Sequence, residues 1–291
     1  MTEHRSPLAA GLKAILEHRR LAGVLWLGLL VSALPAWFAF GGLFGAVDGS
    51  PFRESLLRGW DSWAFLSFVG ANERGIKVAF AAIGLGLLLS LVLDLLLTTG
   101  AVRVLLSGLP RPVLRRTVAE GAALFRPVAW AFARYVVSLA LWIGFLVAAP
   151  VALLMKAAGK NAPPNGPLAT LALVWGVVAA VVVLANVNLR FHLARVVLAR
   201  GAAPDARRSY RAAKAALRGA RARGIGLWLF WLLAGAAIQA AFTALGVRMN
   251  PGTGAGVAAL VLVRQAGFLL LAATRVGYQA SLVSFEESRR P

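Results

Sequence analysis

Polar residues are sparse along the chain and gather in clusters. They leave six apolar stretches, near residues 21–45, 78–101, 130–155, 168–190, 225–247 and 257–283. Each is long enough to cross a hydrocarbon core of ~30 Å, which takes about 20 helical residues at 1.5 Å of rise each. Leu, Val and Ala fill them without strict alternation, so the pattern predicts helices and excludes barrel strands. Three shorter segments show helical periodicity with one apolar face. In 8–20, Leu8, Leu12, Ile15 and Leu16 lie opposite Lys13, Glu17 and Arg20. In 112–126 the apolar line is Leu114, Val118, Gly121 and Phe125. In 204–223, Arg207, Arg211, Lys214, Arg218 and Arg221 share one face, opposite Tyr210, Ala213, Leu217 and Ala220. Each segment predicts an amphipathic helix lying under the bilayer and turning into a span.

Composition sharpens this picture. The chain has 291 residues, 59% of them apolar, and only 14% are charged, against about 25% in an ordinary soluble domain. Too few polar residues exist to clothe six buried apolar helices in water. The predicted fold is therefore an all-α polytopic membrane protein, residues 1–291 forming a single integral membrane domain. The charge that is present is lopsided, 31 Lys+Arg against 11 Asp+Glu for a net +20. Basic residues concentrate in the N-terminal segment (Lys13, Arg19, Arg20), the loop after span two (Arg111, Arg115, Arg116), the loop after span four and the tail. By the positive-inside rule both termini are cytoplasmic. A strong Arg-over-Lys bias points to a high-GC bacterial genome and so to a bacterial inner membrane.

A repeat underlies the charge pattern. When residues 94–126 are laid on 186–218, Arg103 falls on Arg195, Pro112 on Pro204, Arg115 and Arg116 on Arg207 and Arg208, and Thr117 on Ser209. Asp94 falls on Asn186, a polar pair of the same shape inside the membrane. The unit reads as amphipathic helix, span, outer loop, span. Three such hairpin units run 7–108, 109–200 and 201–287, with an aromatic insertion at 46–77 on the outer side. Mitochondrial carriers also have three hairpins, but their P-x-[DE]-x-x-[KR] motif is absent: Pro35 is followed by Ala36-Trp37 and Pro150 by Val151-Ala152.

Charged groups inside a membrane mark functional or helix-tethering sites. Asp94, Arg190, Arg264 and Arg275 stand within or at the edge of the apolar stretches. Asp94 is the one deep acid, so it is expected to pair with Arg275 or Arg190. Asn186, Asn188, Gln239, Gln265, Tyr278 and Gln279 are placed to extend a polar network around it. The basic face Arg207, Arg211, Lys214, Arg218 and Arg221 is expected to meet anionic lipid headgroups or an acidic membrane or cytoplasmic protein partner. Nucleic acid is not expected, because no aromatic or Gly-rich recognition element accompanies that face. Trp60 and Trp63, in the aromatic run 50–70, are expected to anchor an outer interfacial helix or form a lid.

Much chemistry is missing. There is no cysteine, and His4, His18 and His192 have no partner at metal-ligand spacing. Gly252 to Gly256 lacks the strand that a dinucleotide loop needs and reads as a turn into span six. Gly41 and Gly45 have the small-xxx-small spacing of a helix contact. No catalytic residue, metal or cofactor is expected. The sequence points first to a non-enzymatic membrane-embedded subunit or scaffold, and second to a small transporter or lipid-handling protein. A polar-lined cavity around Asp94, open to one side, would favour the second. A tightly packed bundle would favour the first.

Overall fold

The computed structural model describes residues 6–51, 53–54, 62–107, 114–159, 166–249 and 254–289, and the described residues are helical nearly throughout, without strands. Helix α1 (Pro7–Glu17) opens on Ser6, whose hydroxyl accepts from the Ala9 amide (3.2 Å), with Pro7 fixing the first turn. Then follow α2 (Arg19–Asp48), α3 (Ser62–Ala71), α4 (Glu73–Ser107), α5 (Leu114–Ala123) and α6 (Phe125–Ile143). A π-helical turn, Gly144–Ala148, leads into α7 (Ala149–Ala158). The chain continues with α8 (Pro167–Arg200), α9 (Ala206–Ala216), α10 (Arg221–Val247) and α11 (Gly254–Glu287). Six helices are long and apolar enough to cross a membrane: α2, α4, α6 with α7, α8, α10 and α11. They fit a multi-pass membrane protein. Five of the spanning helices run past the apolar stretches at both ends, and α10 at its start only, because helix geometry continues into the flanking polar residues.

Packing sorts the helices into three roles. Helices α4, α8 and α11 touch one another. Helix α2 lies against α4 and α11, α6 against α4 and α8, and α10 against α8 and α11. The short helices sit on the first set: α1 on α11, α5 on α4 and α9 on α8. Burial is concentrated at one end of the bundle, from Leu95 to Val104 on α4 and from Val183 to Ala199 on α8. The residues Val102, Leu193, Val196, Ala213, Leu217 and Leu282 form a core there. Arg200 closes this end by binding Glu286 (3.1 Å) and Glu287 (2.9 Å) on α11. Arg103 of α4 does the same by reaching the Ala199 carbonyl and, at 3.4 Å, Glu120. Toward the other end large apolar side chains such as Leu173, Val178, Leu233 and Leu262 are exposed, as they are on helices that face lipid.

Several sequence expectations change here. The basic line of 204–223 is not one helix. It breaks after Ala216, where Gly219 takes a φ of 71°, and a new helix starts at Arg221. Arg207, Arg211 and Lys214 thus share α9, Arg218 lies in the turn, and Arg221 opens α10. Residues 252 and 253 lie outside the described residues, and from Gly254 the supposed turn is already helix. Gly41 and Gly45 make no close approach, since an added Cβ at either meets open space. The close approaches are at Gly100 and Gly121, where α4 and α5 bring backbone against backbone.

Asp205 caps α9, its carboxylate accepting from the Arg208 amide at 2.8 Å. That backbone bond holds the Asp205 carboxyl below its ordinary value. A depressed folded pKa means the cap is at full strength above the unfolded value of about 3.9 and is lost as pH falls through the folded one. The protection factors of the α9 amides, with the intrinsic pH dependence of exchange divided out, should therefore fall in acid in the wild-type protein. In Asp205→Ala they should be low already at pH 7 and show no such acid step.

Candidate functional site

Asp94 sits on α4 inside an apolar run, Leu-Val-Leu before it and Leu-Leu-Leu after it, and its carboxylate is met by three donors. Thr98, one turn on, donates to Oδ1 (3.1 Å). Arg275 of α11 donates to the same oxygen through Nη1 (3.2 Å), and Arg195 of α8 donates to Oδ2 through Nη2 (3.3 Å). One carboxylate thereby joins the three mutually touching helices. The two arginines differ in setting. The Arg195 side chain is 1% exposed and its guanidinium carbon lies 4.6 Å from the centre of the Phe191 ring, whereas Arg275 is 47% exposed. Phe191 contributes the cation–π contact that a buried guanidinium favours. Arg195 is sealed within the bundle; Arg275 faces outward from the pair.

The outward face opens on a cavity of about 480 Å³, partly open to the outside of the molecule. Its polar lining includes Asp94, Thr98, Asn188, His192, Arg275 and Gln279, and Trp228, the buried Trp231 and Leu232 of α10 complete it. That volume falls within the roughly 300–1,000 Å³ of small-molecule sites. Gln279 Nε2 donates to His192 Nδ1 (3.2 Å), and the His192 and Tyr278 rings meet edge-on at 5.2 Å. Trp231 is held by a bond from its indole N–H to Ser281 Oγ (3.1 Å). The Tyr278 hydroxyl and the Gln279 carbonyl oxygen are buried without a hydrogen-bond partner in the chain. Buried polar atoms of this kind are uncommon and call for a reason.

Charge follows from the census of groups. Asp94 and Arg275 line the cavity with opposite charges, and the guanidinium of Arg195, sealed behind the carboxylate, adds one further positive charge at the site. A guanidinium carries five N–H donors in a planar fork. Arg275 gives one of these to Asp94, and the rest suit bidentate binding of a carboxylate or phosphate. Among the described residues no group of three or more His, Cys, Asp or Glu could hold a metal ion.

The structure gathers only part of the polar set read from the sequence. Asp94, Asn188, Arg275, Tyr278 and Gln279 meet at the cavity. Arg190 does not reach Asp94. It lines a separate groove with Asn186, Trp142 and Arg221, and Asn186 bonds back to the Val182 carbonyl of its own helix. Arg264 lies beside Gly246 at the far end of α10. Gln265 accepts from the Trp26 indole (3.1 Å), and Gln239 is exposed. Trp63 is 75% exposed at the start of α3, and Trp60 lies outside the described residues. Arg195 was the residue hidden from sequence reading, for it sits among the basic residues at the end of span four. His192 was hidden too, since Gln279 is remote in the chain.

No protein-family model, curated protein or solved structure matches this chain. The class of protein is set by its six apolar helices, and the reading of its site rests on its own geometry.

Proposed function

We propose that this protein binds and passes on a small anionic or amphipathic solute in the cavity around Asp94, as a small transporter or lipid-handling protein. The single observation that carries the reading is the half-exposed Arg275, set by Asp94 on the wall of a cavity of about 480 Å³, with a second guanidinium, Arg195, sealed behind the carboxylate. Trp228 and the exposed Leu232 of α10 add an apolar surface for a hydrocarbon portion. The packed end of the bundle, below Arg195, forms a floor. The scaffold reading becomes second, because a scaffold gives no use to an open cavity with unspent donors. The role is non-enzymatic and needs no cofactor.

The surrounding frame belongs to the same proposal. The protein lies in a bacterial inner membrane with both termini cytoplasmic, as the basic residues of the connectors after α4 and α8, among them Arg115, Arg116, Arg207, Arg211 and Lys214, favour. Its spans form three repeated hairpins, α2 with α4, α6–α7 with α8, and α10 with α11. Three facts support this reading. Each short helix packs on the second span of the preceding unit, and α1 closes the ring on α11. Thr117 and Ser209, which the repeat aligns, are both fully buried on α5 and α9. Gly121 and Ala213, aligned in the same register, both face inward. The short helices act as amphipathic connectors at the inner surface, and exposed Arg207, Arg211 and Lys214 meet anionic headgroups there, with an acidic protein partner as the other candidate.

Binding tests the function directly. Purified protein in nanodiscs of zwitterionic lipid is titrated with single-chain amphipaths of equal length bearing carboxylate, phosphate or quaternary ammonium heads, and tryptophan fluorescence is read. Carboxylate or phosphate heads should perturb the signal saturably, the ammonium head should not, and Arg275→Gln should weaken the anionic response at least tenfold, about 1.4 kcal/mol. Equal responses to all three heads would refute the reading.

A further inference from the structure

A second groove, which shares no lining residue with the Asp94 cavity, lies at the packed end of the bundle. It runs between the first turn of α1 and the start of α10, over the end of α11, and encloses about 790 Å³. Its polar end carries Arg223 and Arg289, both exposed. Among the described residues neither arginine belongs to an ion pair, because the nearby Glu286 and Glu287 are engaged by Arg200. The N-terminus of the 11-residue α1 adds its partial positive charge at the same place. Walking up α10 from Arg223, the lining becomes Gly226, Leu227 and Phe230, with Phe285 of α11 beside them. Seven residues of helix carry the lining about 10 Å from the charged end toward the apolar part of the span. Gly226 leaves the wall open, for a Cβ there meets nothing.

We infer that this groove is a site for one anionic phospholipid, its phosphate between Arg223 and Arg289 and an acyl chain along Leu227 and Phe230. Charge complementarity selects the anionic headgroup, and the gradation from arginine to phenylalanine along one spanning helix matches the gradation from headgroup to acyl chain. A soluble anion would use the first feature and leave the second without purpose. The inference needs only that this end of the bundle meets a membrane surface, and does not depend on what the Asp94 cavity binds.

Native mass spectrometry of the full chain released from detergent micelles tests it, with phosphatidylglycerol, phosphatidylcholine of the same acyl chains and inorganic phosphate as probes. The wild-type protein should retain one phosphatidylglycerol in preference to phosphatidylcholine, and millimolar phosphate should not displace it. Arg223→Gln with Arg289→Gln should lower that retention roughly tenfold or more, two headgroup contacts being lost. Gly226→Leu, which fills the acyl path and keeps both arginines, should lower it as well. Arg207→Gln with Arg211→Gln on α9 should leave it unchanged. Melting in phosphatidylcholine micelles, expected to match wild type for every variant, separates lipid loss from misfolding. Equal retention in the Arg223/Arg289 pair and wild type would overturn the inference. So would equal loss in the α9 control, which means diffuse attraction, or displacement by phosphate, which means a free-anion site.

Discussion

Asp94→Ala should be among the most destabilising single substitutions in the bundle, lowering stability by about 3–5 kcal/mol, because it leaves a buried guanidinium without its counter-charge. Arg195 is sealed, with Nε and Nη1 already lacking a hydrogen-bond partner in the chain. Asp94→Asn should be milder than Asp94→Ala, since the amide oxygen still accepts from Thr98 and an arginine. Combining Asp94→Ala with Arg195→Met should recover much of the loss, for an apolar replacement removes the stranded charge as well as its partner. Arg275→Ala should cost little in stability, as its side chain is half in the open. Thermal unfolding in micelles, read by size-exclusion profile, ranks the four variants. Asp94→Ala melting with the wild type would contradict the placement of Arg195.

The second large effect is expected at two glycines with no charge at all. A Cβ at Gly100 would run into the Thr117 carbonyl, and one at Gly121 into the Leu96 carbonyl. Backbone on the opposing helix cannot swing aside as a side chain can, so even alanine forces α4 and α5 apart. Gly100→Ala and Gly121→Ala should each destabilise by at least the roughly 1–3 kcal/mol of overpacking. Gly41→Ala and Gly45→Ala, facing open space, should be silent. Yield of monodisperse protein and its melting temperature distinguish the two pairs. Equal behaviour would mean that α4 and α5 are not in contact.

These two results also measure what the sequence could carry. The six spans were legible because length and hydropathy are local properties, and helix ends failed only where polar residues continue the same helix. Asp94 and Arg275 were legible because a charge in an apolar run stands out. Arg195 was not, for it stands beyond the apolar stretch among the basic residues that follow span four. Its burial depends on the side chain pointing back toward the start of α8, against two other helices. Gly41 and Gly45 carried the contact spacing and Gly100 and Gly121 carried the contact, because spacing marks a smooth face but tertiary packing chooses which face is used. The break between α9 and α10 did have a signal, Gly219 inside the basic periodicity, which the regular spacing of the arginines concealed.

The absence of cysteine from the chain makes the central claim directly measurable, since any introduced thiol is unique. Asn188→Cys and Thr274→Cys on the cavity wall, with Leu173→Cys on the exposed apolar face of α8 as control, are placed in native vesicles. Each is exposed to negatively and positively charged methanethiosulfonate reagents. An open cavity with Arg275 on its wall should let both wall thiols react, faster with the anionic reagent than with the cationic one, and Arg275→Gln should abolish that preference while Leu173→Cys stays unreactive. Wall thiols as inert as the lipid-facing control, or modified faster by the cationic reagent, would contradict a solute site at Asp94.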